Sequence, residues 1–389
     1  MEQHTMNNNL MNNSPEEPIQ EQRRKKRPIG KWGKTIINPG ERKRIRLKAG
    51  ESFIGAGVHL PLMVWRGLED GPVLAITAAV HGDEINGTGA IRKLIQEPPF
   101  ELKRGTLILA PVVNSMGFER HSRYTPDRRD LNRTFPGSKK GSLTGRLANL
   151  VMKEIVKRSD YIVDLHTAAV RRTNFPNVRA DMSNPDCERL AKVFGAEVIV
   201  NSAGPDGSFR REACKAGCPT IILEAGEALK VESAVQDMTQ RGLTHIMAEL
   251  DMIDVTDDVR PETSPHQMIV QGSSWVRAGY GGFLTFHVAP GDIVQKDQPL
   301  ATNTELLGKE LETITSPHNG IVLGMTTMPA VSPGDPILHI ALPDTSKQFR
   351  SLEKSVDTME DDTLENQVRD DLATSITVEE YTDAEEETQ

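Results

Sequence analysis

The chain has 389 residues with 37% hydrophobic and 26% charged side chains, long for one domain and ordinary for a soluble globular protein with polar extensions. Its net charge of −9 is local: residues 351–389 hold 14 acidic and two basic side chains, so the body is near neutral. Three cysteines without a CxxC pair exclude a disulfide scaffold, and no apolar run approaches the length of a membrane span.

Residues 1–33 are rich in Asn, Gln, Glu and Lys, with the basic run Arg23 to Arg27. So little apolar surface does not offset the ordering entropy, and the segment is predicted to be a disordered tail. The basic run is read as solvated, so neither nucleic acid nor a membrane is expected as a partner. The absence of an apolar leader segment and the reduced thiols point to the cytoplasm.

Residues 34–70 contain short β patterns that predict an edge hairpin. Val73 to Ala79 is an apolar run of strand length that stops at His81-Gly82-Asp83-Glu84. Such a run reads as a strand covered on both faces, and a helix is predicted from Gly87 to Gln96. Thr106 to Val113 is a second buried strand. A turn-rich loop covers residues 114–140, and residues 142–158 are helical by period. Tyr161 to Leu165 is a strand ending in His166, Asp186 to Phe194 a helix and Glu197 to Val200 a strand. Thr220 to Leu223 is a further strand, ending in Glu224, and residues 227–249 form a closing helix. This alternation predicts an α/β catalytic domain over 34–255, with a mixed, mainly parallel sheet flanked by helices.

Residues 256–264 are polar and read as a linker. From 265 to 345 the segments are short, β-like and punctuated by Gly and Pro. The stretch from Gly282 to Ile293 resembles that from Gly320 to Ile337, each passing through a Pro-Gly-Asp turn. This half-repeat predicts a smaller all-β barrel-sandwich domain. Residues 346–389 are expected to form an acidic disordered tail.

The carboxyl ends of strands in an open α/β sheet lie along one edge, where ligands bind. There stand His81 and Glu84, His166, and Glu224. Two His and one carboxylate leave a fourth position open, the pattern of a catalytic zinc site, here with one Zn²⁺ per chain. Zinc lowers the pKa of bound water, and a carboxylate that is not a ligand must then move the proton. Glu224 is the strand-end Glu left for that role. Between the ligands lie Arg123, Arg128, Arg129, Asn132 and Arg133 in one loop. These planar cationic forks suit a substrate carboxylate or a developing oxyanion.

Four ordered blocks, His81-Gly82-Asp83-Glu84, Asp130 to Gly137, Asp164-Leu165-His166-Thr167 and Leu223-Glu224-Ala225-Gly226, resemble the succinylglutamate desuccinylase/aspartoacylase family of zinc carboxypeptidase-like proteins. The resemblance covers roughly residues 50–255. It implies His81, Glu84 and His166 as zinc ligands and Glu224 as general acid/base. It also implies Asn132 and Arg133 as the grip on a substrate carboxylate. An arginine just upstream polarises the scissile carbonyl in that family. Arg123 and Arg129 compete for the role, with Arg123 preferred and Arg129 placed among the substrate-binding residues. The C-terminal repeat is similar to the biotinyl/lipoyl β domain of many bacterial members. The hairpin residue Lys309 lacks the Met-Lys-Met setting of biotin attachment, so that domain is expected to shape the cleft or an oligomer interface. The implied activity is hydrolysis of a small N-acyl amino acid by metal-activated water. The rivals are a zinc carboxypeptidase acting on peptides and a non-catalytic binding protein that keeps the fold.

Overall fold

The computed structural model describes residues 29–51, 54–255, 267–343, 349–350, 363–374 and 376–381. Two short strands, β1 (Lys31–Trp32) and β2 (Thr35–Ile36), pair first, and the hairpin β3 (Arg42–Glu51) and β4 (Gly57–Arg66) follows. Strands and helices then alternate: β5 (Glu69–Ala78), α1 (Asn86–Gln96), β6 (Arg104–Ala110), α2 (Ser115–Phe118), α3 (Leu143–Val151) and β7 (Tyr161–His166). Next come β8 (Arg172–Ala180), α4 (Pro185–Phe194), β9 (Val198–Asn201), α5 (Phe209–Lys215), β10 (Thr220–Glu227) and α6 (Ser233–Glu249). The C-terminal part supplies β11 (Met268–Arg277), β12 (Gly282–Phe286), β13 (Ile293–Val294), β14 (Pro299–Thr304) and β15 (Glu310–Thr315). It ends with β16 (Gly320–Thr326), β17 (Ala330–Val331), β18 (Pro336–Pro343) and α7 (Leu364–Ala373). No helix among the described residues is long and apolar enough to cross a membrane.

Twelve strands form one sheet in the order β13-β16-β18-β11-β9-β8-β10-β7-β5-β6-β4-β3. At its centre β6, β5, β7 and β10 run parallel, and β8, β9 and β11 form a second parallel block. The join between the blocks and both ends are antiparallel, so the sheet is mixed rather than mainly parallel. Successive side chains of a strand face opposite sides of a sheet, and the central strands are apolar at both parities. Leu74, Ile76, Leu107, Leu109, Val163 and Leu165 therefore enter one core, packed by α1, α4 and α6. Val73, Ala75, Ile108 and Ile162 enter the other, packed by α3 and α5.

The C-terminal β region has a core of its own around Leu284, Phe286, Val322 and Ile340. It is not set apart as a separate unit over 265–345. Its strand β11 adds in parallel to β9, and β16 pairs antiparallel with β8, so main-chain hydrogen bonds run from one region into the other. The half-repeat has matching turns: the Asp292 carboxylate accepts from Ala289 N, and the Asp335 carboxylate from Ser332 N. The 256–264 segment lies outside the described residues, as do residues 1–28.

Both tail boundaries are corrected. Within 1–33, Trp32 is buried and its strand is paired. Within 346–389, α7 buries Val368 and Leu372 in the main core. Its charges are satisfied across long sequence distances, Arg369 pairing with Glu197 at 2.7 Å and Glu365 with Arg241 at 2.6 Å. Two apolar anchors and two ion pairs order a segment whose composition alone argues for disorder.

Candidate active site

β5 ends at Ala78, and the chain crosses the sheet edge through His81 to Glu84 before α1 begins. Gly82 lets this turn lie against α2: a Cβ there would sit 2.0 Å from the carbonyl carbon of Gly117. His166 is the last residue of β7, and Glu224 stands directly beside it on β10. The strand ends thus meet as the parallel register requires.

His81, Glu84 and His166 are buried, and one potential ligand atom of each lies within 4.8 Å of the others. The Nδ1 of His81 is 2.6 Å from one Glu84 oxygen, and the Nδ1 of His166 is 2.7 Å from the other. The far nitrogen of each ring meets a carboxylate: His81 Nε2 donates to Asp130 at 3.1 Å and His166 Nε2 to Asp164 at 2.7 Å. Asp164 is itself held by the Thr77 hydroxyl at 2.6 Å. Each ring is held between two carboxylates, with Nδ1 turned to Glu84 and Nε2 to the outer acid, so a metal displacing the Nδ1 protons would meet both nitrogens beside Glu84, an arrangement typical of metal-binding histidines. Burial alone lowers the proton affinity of both imidazoles. The carboxylates of Glu84 and Asp130 outweigh it at His81, and those of Asp164 and Glu84 outweigh it at His166, so both are raised. Burial pushes Glu84 up, but the two imidazoles win and hold it well below the usual carboxylate range. The donor set therefore fits a borderline-soft divalent cation such as zinc.

Asp164→Asn removes the charge behind His166 while keeping its size. The variant is expected to bind zinc about 10–100-fold more weakly, read by competition with a chromogenic chelator. Unchanged affinity would remove Asp164 from the site.

Asp130 has three tasks. It caps the short turn Leu131–Arg133 through Asn132 N, orients His81, and pairs with Arg123 at 3.0 Å. Arg123 thereby places Nη1 3.4 Å from Glu84, beside the potential ligands. The side-chain carbonyl of Asn132 accepts from Phe209 N at 2.8 Å, leaving its amide donors for a ligand. Arg133 lines the same cavity. Arg129 does not. It is 63% exposed and faces Asp127 at 3.9 Å, so its assignment to substrate binding is withdrawn. Arg128 and Arg129 are exposed and outside the cavity lining, and Arg123 alone of the two competing arginines reaches the metal-type centre. Lys309 is exposed on its hairpin, and His121 is exposed outside the cavity lining.

Glu224 accepts from Asn174 Nδ2 at 3.1 Å and lies 3.7 Å from Arg179 Nη1. Both partners come from β8. The register of β8 against β10 shifts between Glu224 and Gly226, and Pro176 occupies this irregularity. Bulges re-aim side chains and accept proline, which here leaves Glu224 lining the cavity.

These groups line a cavity of about 290 Å³. Its lining includes Arg172, Asn174 and Arg179 of β8, Arg210 of α5, and Trp275 of β11, none of which was singled out from the sequence. His339, which shows no ligand spacing in the sequence, also lines it, stacked on Trp275 at 4.2 Å. The β8 residues had a faint signal in their alternation, Arg172, Asn174, then Asn177 and Arg179 about the proline.

The fold and this edge define an α/β protein with a two-His, one-Glu metal-type site lining a cavity at the sheet edge. Residues 70–250 match the model of the succinylglutamate desuccinylase/aspartoacylase catalytic domain. The chain is 25% identical over 309 residues to the N-alpha-acetyl-L-2,4-diaminobutyric acid deacetylase of Halomonas elongata, covering 77% of this chain and 90% of that one. Two solved structures share the fold. A succinylglutamate desuccinylase/aspartoacylase from Rhodobacter sphaeroides has a TM-score of 0.68 at 24% identity, over 78% of this chain and 96% of the other. The product-bound ectoine utilization protein EutE (DoeB) from Ruegeria pomeroyi has a TM-score of 0.68 at 21% identity, over 77% and 95%.

Proposed function

We propose that this protein is a zinc-dependent deacylase that hydrolyses the amide of an N-acyl amino acid. The observation that carries the reading is the convergence of His81, Glu84 and His166 on one point, with Glu224 on the neighbouring strand inside the same cavity. A zinc ion held by that triad, one per chain, supplies Lewis-acid polarisation and a water of lowered pKa. The remaining work falls to side chains. Glu224 takes a proton from the attacking water and returns it to the leaving amine, with Asn174 and Arg179 fixing its carboxylate. Arg123, steadied by Asp130, presents a cation to the oxygen on which charge develops. Asn132 and Arg133 hold the substrate carboxylate and so set the scissile bond against Glu224.

The size of the cavity favours a small substrate over a peptide. About 290 Å³, walled on one side by Trp275 and His339, matches the size of a small acyl amino acid. In this reading the C-terminal β region serves as a wall of the cleft rather than as a carrier, and three free thiols fit a reducing cytoplasm. Zinc-loaded protein should release free amine from at least one member of a panel of N-acetyl, N-formyl and N-succinyl amino acids. Hydrolysis of dipeptides in place of the whole panel would favour the peptidase, and tight binding without turnover would favour a non-catalytic protein.

A further inference from the structure

Amide hydrolysis as described uses none of the three thiols, yet two of them meet. Cys187, in the first turn of α4, and Cys214, near the end of α5, bring their Sγ atoms to 3.8 Å although they stand 27 residues apart in the chain. Both sulfurs also face one carbonyl oxygen, that of Thr220 at the start of β10, at 3.8 and 3.7 Å. Both are free thiols.

The two sulfurs are not equivalent. Cys187 is wholly buried, and Cys214 is partly exposed. The hydrogen bond from Cys187 lowers Cys214, burial opposes it, and the Arg210 cation one turn earlier on α5 adds to the lowering, so Cys214 is brought down to about 7. Cys187 moves the other way, raised by the same hydrogen bond and by burial. A partly exposed sulfur that ionises near neutral pH, beside a buried protonated one, is the arrangement of an attacking and a resolving thiol.

The helix α5 ties this pair to the catalytic cavity. Its N-cap Ser208 and its residue Arg210 line the cavity, and Phe209 N donates to the Asn132 side chain at 2.8 Å. Cys214 stands at the other end of the same helix. A bond between the sulfurs requires them to close from 3.8 Å to about 2.05 Å. That closure draws α5 toward α4. Phe209 and Ala213 are packed in the core, and close-packed interiors transmit strain, so the first turn of α5 shifts against Asn132.

We propose that Cys187 and Cys214 are a peroxide-oxidised dithiol switch, in which a disulfide between α4 and α5 disturbs the Asn132 side of the catalytic cavity. The Cys214 thiolate attacks the O–O bond of a hydroperoxide, forming a sulfenic acid and releasing an alkoxide, which takes the proton that Cys214 gave up. The Cys187 sulfur then attacks the Cys214 sulfur. The S–O bond breaks, and the departing hydroxide leaves with the Cys187 proton as water. Two thiols are oxidised to one disulfide, and one hydroperoxide is reduced to an alcohol and water. Formation of the bond is independent of the deacylase reading, and its effect on turnover rests on that reading.

The experiment titrates full-length, zinc-loaded protein with hydrogen peroxide, blocks the remaining thiols by alkylation and maps the peptides by mass spectrometry. One Cys187–Cys214 disulfide is expected, with Cys218 still a thiol. Turnover of the best substrate should fall by at least about 10-fold and return with a phosphine reductant. C187S should stop at a Cys214 sulfenic acid that dimedone captures. C214S should form no bond and keep its turnover through the same titration. Oxidation that spares Cys187 and Cys214, an equal loss of turnover in C214S, or a mapped disulfide with unchanged turnover would each overturn the switch while the deacylase reading stands.

If no substrate is cleaved, the deacylase reading falls and amide hydrogen exchange over Phe209–Lys215 decides. A change of at least about 10-fold between the reduced and the oxidised protein upholds the switch, and unchanged exchange overturns it. Mapping and exchange use the unaltered protein, so a variant that fails to fold leaves the test intact.

Discussion

Glu224→Gln is expected to lower kcat by about 10²–10⁴-fold while zinc content stays at that of the unaltered protein. The carboxylate sits beside His166 in register and lines the cavity, but it is outside the ligand triad. Removing it should therefore spare the metal and remove proton transfer. Gln keeps the length of the side chain and an oxygen acceptor for Asn174, so the local hydrogen bonding changes little. The barrier should rise by about 3–5 kcal/mol, the equivalent of that loss in rate. Paired assays of turnover and metal content check it. Near-full turnover with zinc bound would take the proton-transfer role away from Glu224.

His166→Ala is expected to leave a folded protein that retains no zinc after dialysis and has no deacylase activity above background. Each ligand of a three-residue site carries a large share of the affinity, and a two-residue remnant resembles ordinary surface binding. His166 also keeps two carboxylates in check, since it lies between Glu84 at 2.7 Å and Asp164 at 2.7 Å. Its loss leaves those buried acids facing one another, so some fall in stability should accompany the loss of metal. Circular dichroism separates that effect from unfolding. Retained stoichiometric zinc would mean that the metal sits elsewhere.

The parts of the fold that could be read from the sequence are those whose neighbours lie in a uniform environment. Val73 to Ala78, Leu107 to Ala110, Ile162 to Leu165 and Ile221 to Leu223 are apolar at both parities because both faces of the central sheet are covered. Their ends held His81, Glu84, His166 and Glu224, and the cluster of the first three follows from parallel strands ending together.

What escaped has a shared cause. β8 reads Arg-Thr-Asn-Phe-Pro-Asn-Val-Arg-Ala, and an internal proline in a polar stretch argues against a central strand. It is central nonetheless, because the proline sits at a bulge and the polar side chains meet Glu224 and the cavity. Long-range pairings were equally hidden. The ties from β11 to β9, from β16 to β8, and from Arg369 to Glu197 join residues about 70 to 170 apart, and no local pattern encodes them. The anchoring of α7, and the contribution of Trp275 and His339 to the cleft, both depend on such contacts.

Anomalous diffraction at the zinc edge from crystals of zinc-loaded protein tests the assignment most directly. One peak is expected, about 2.0–2.2 Å from His81 Nδ1, His166 Nδ1 and a Glu84 oxygen, with the Glu224 carboxylate outside bonding distance. A zinc peak away from these three side chains, or none at full occupancy of metal in solution, would contradict the account.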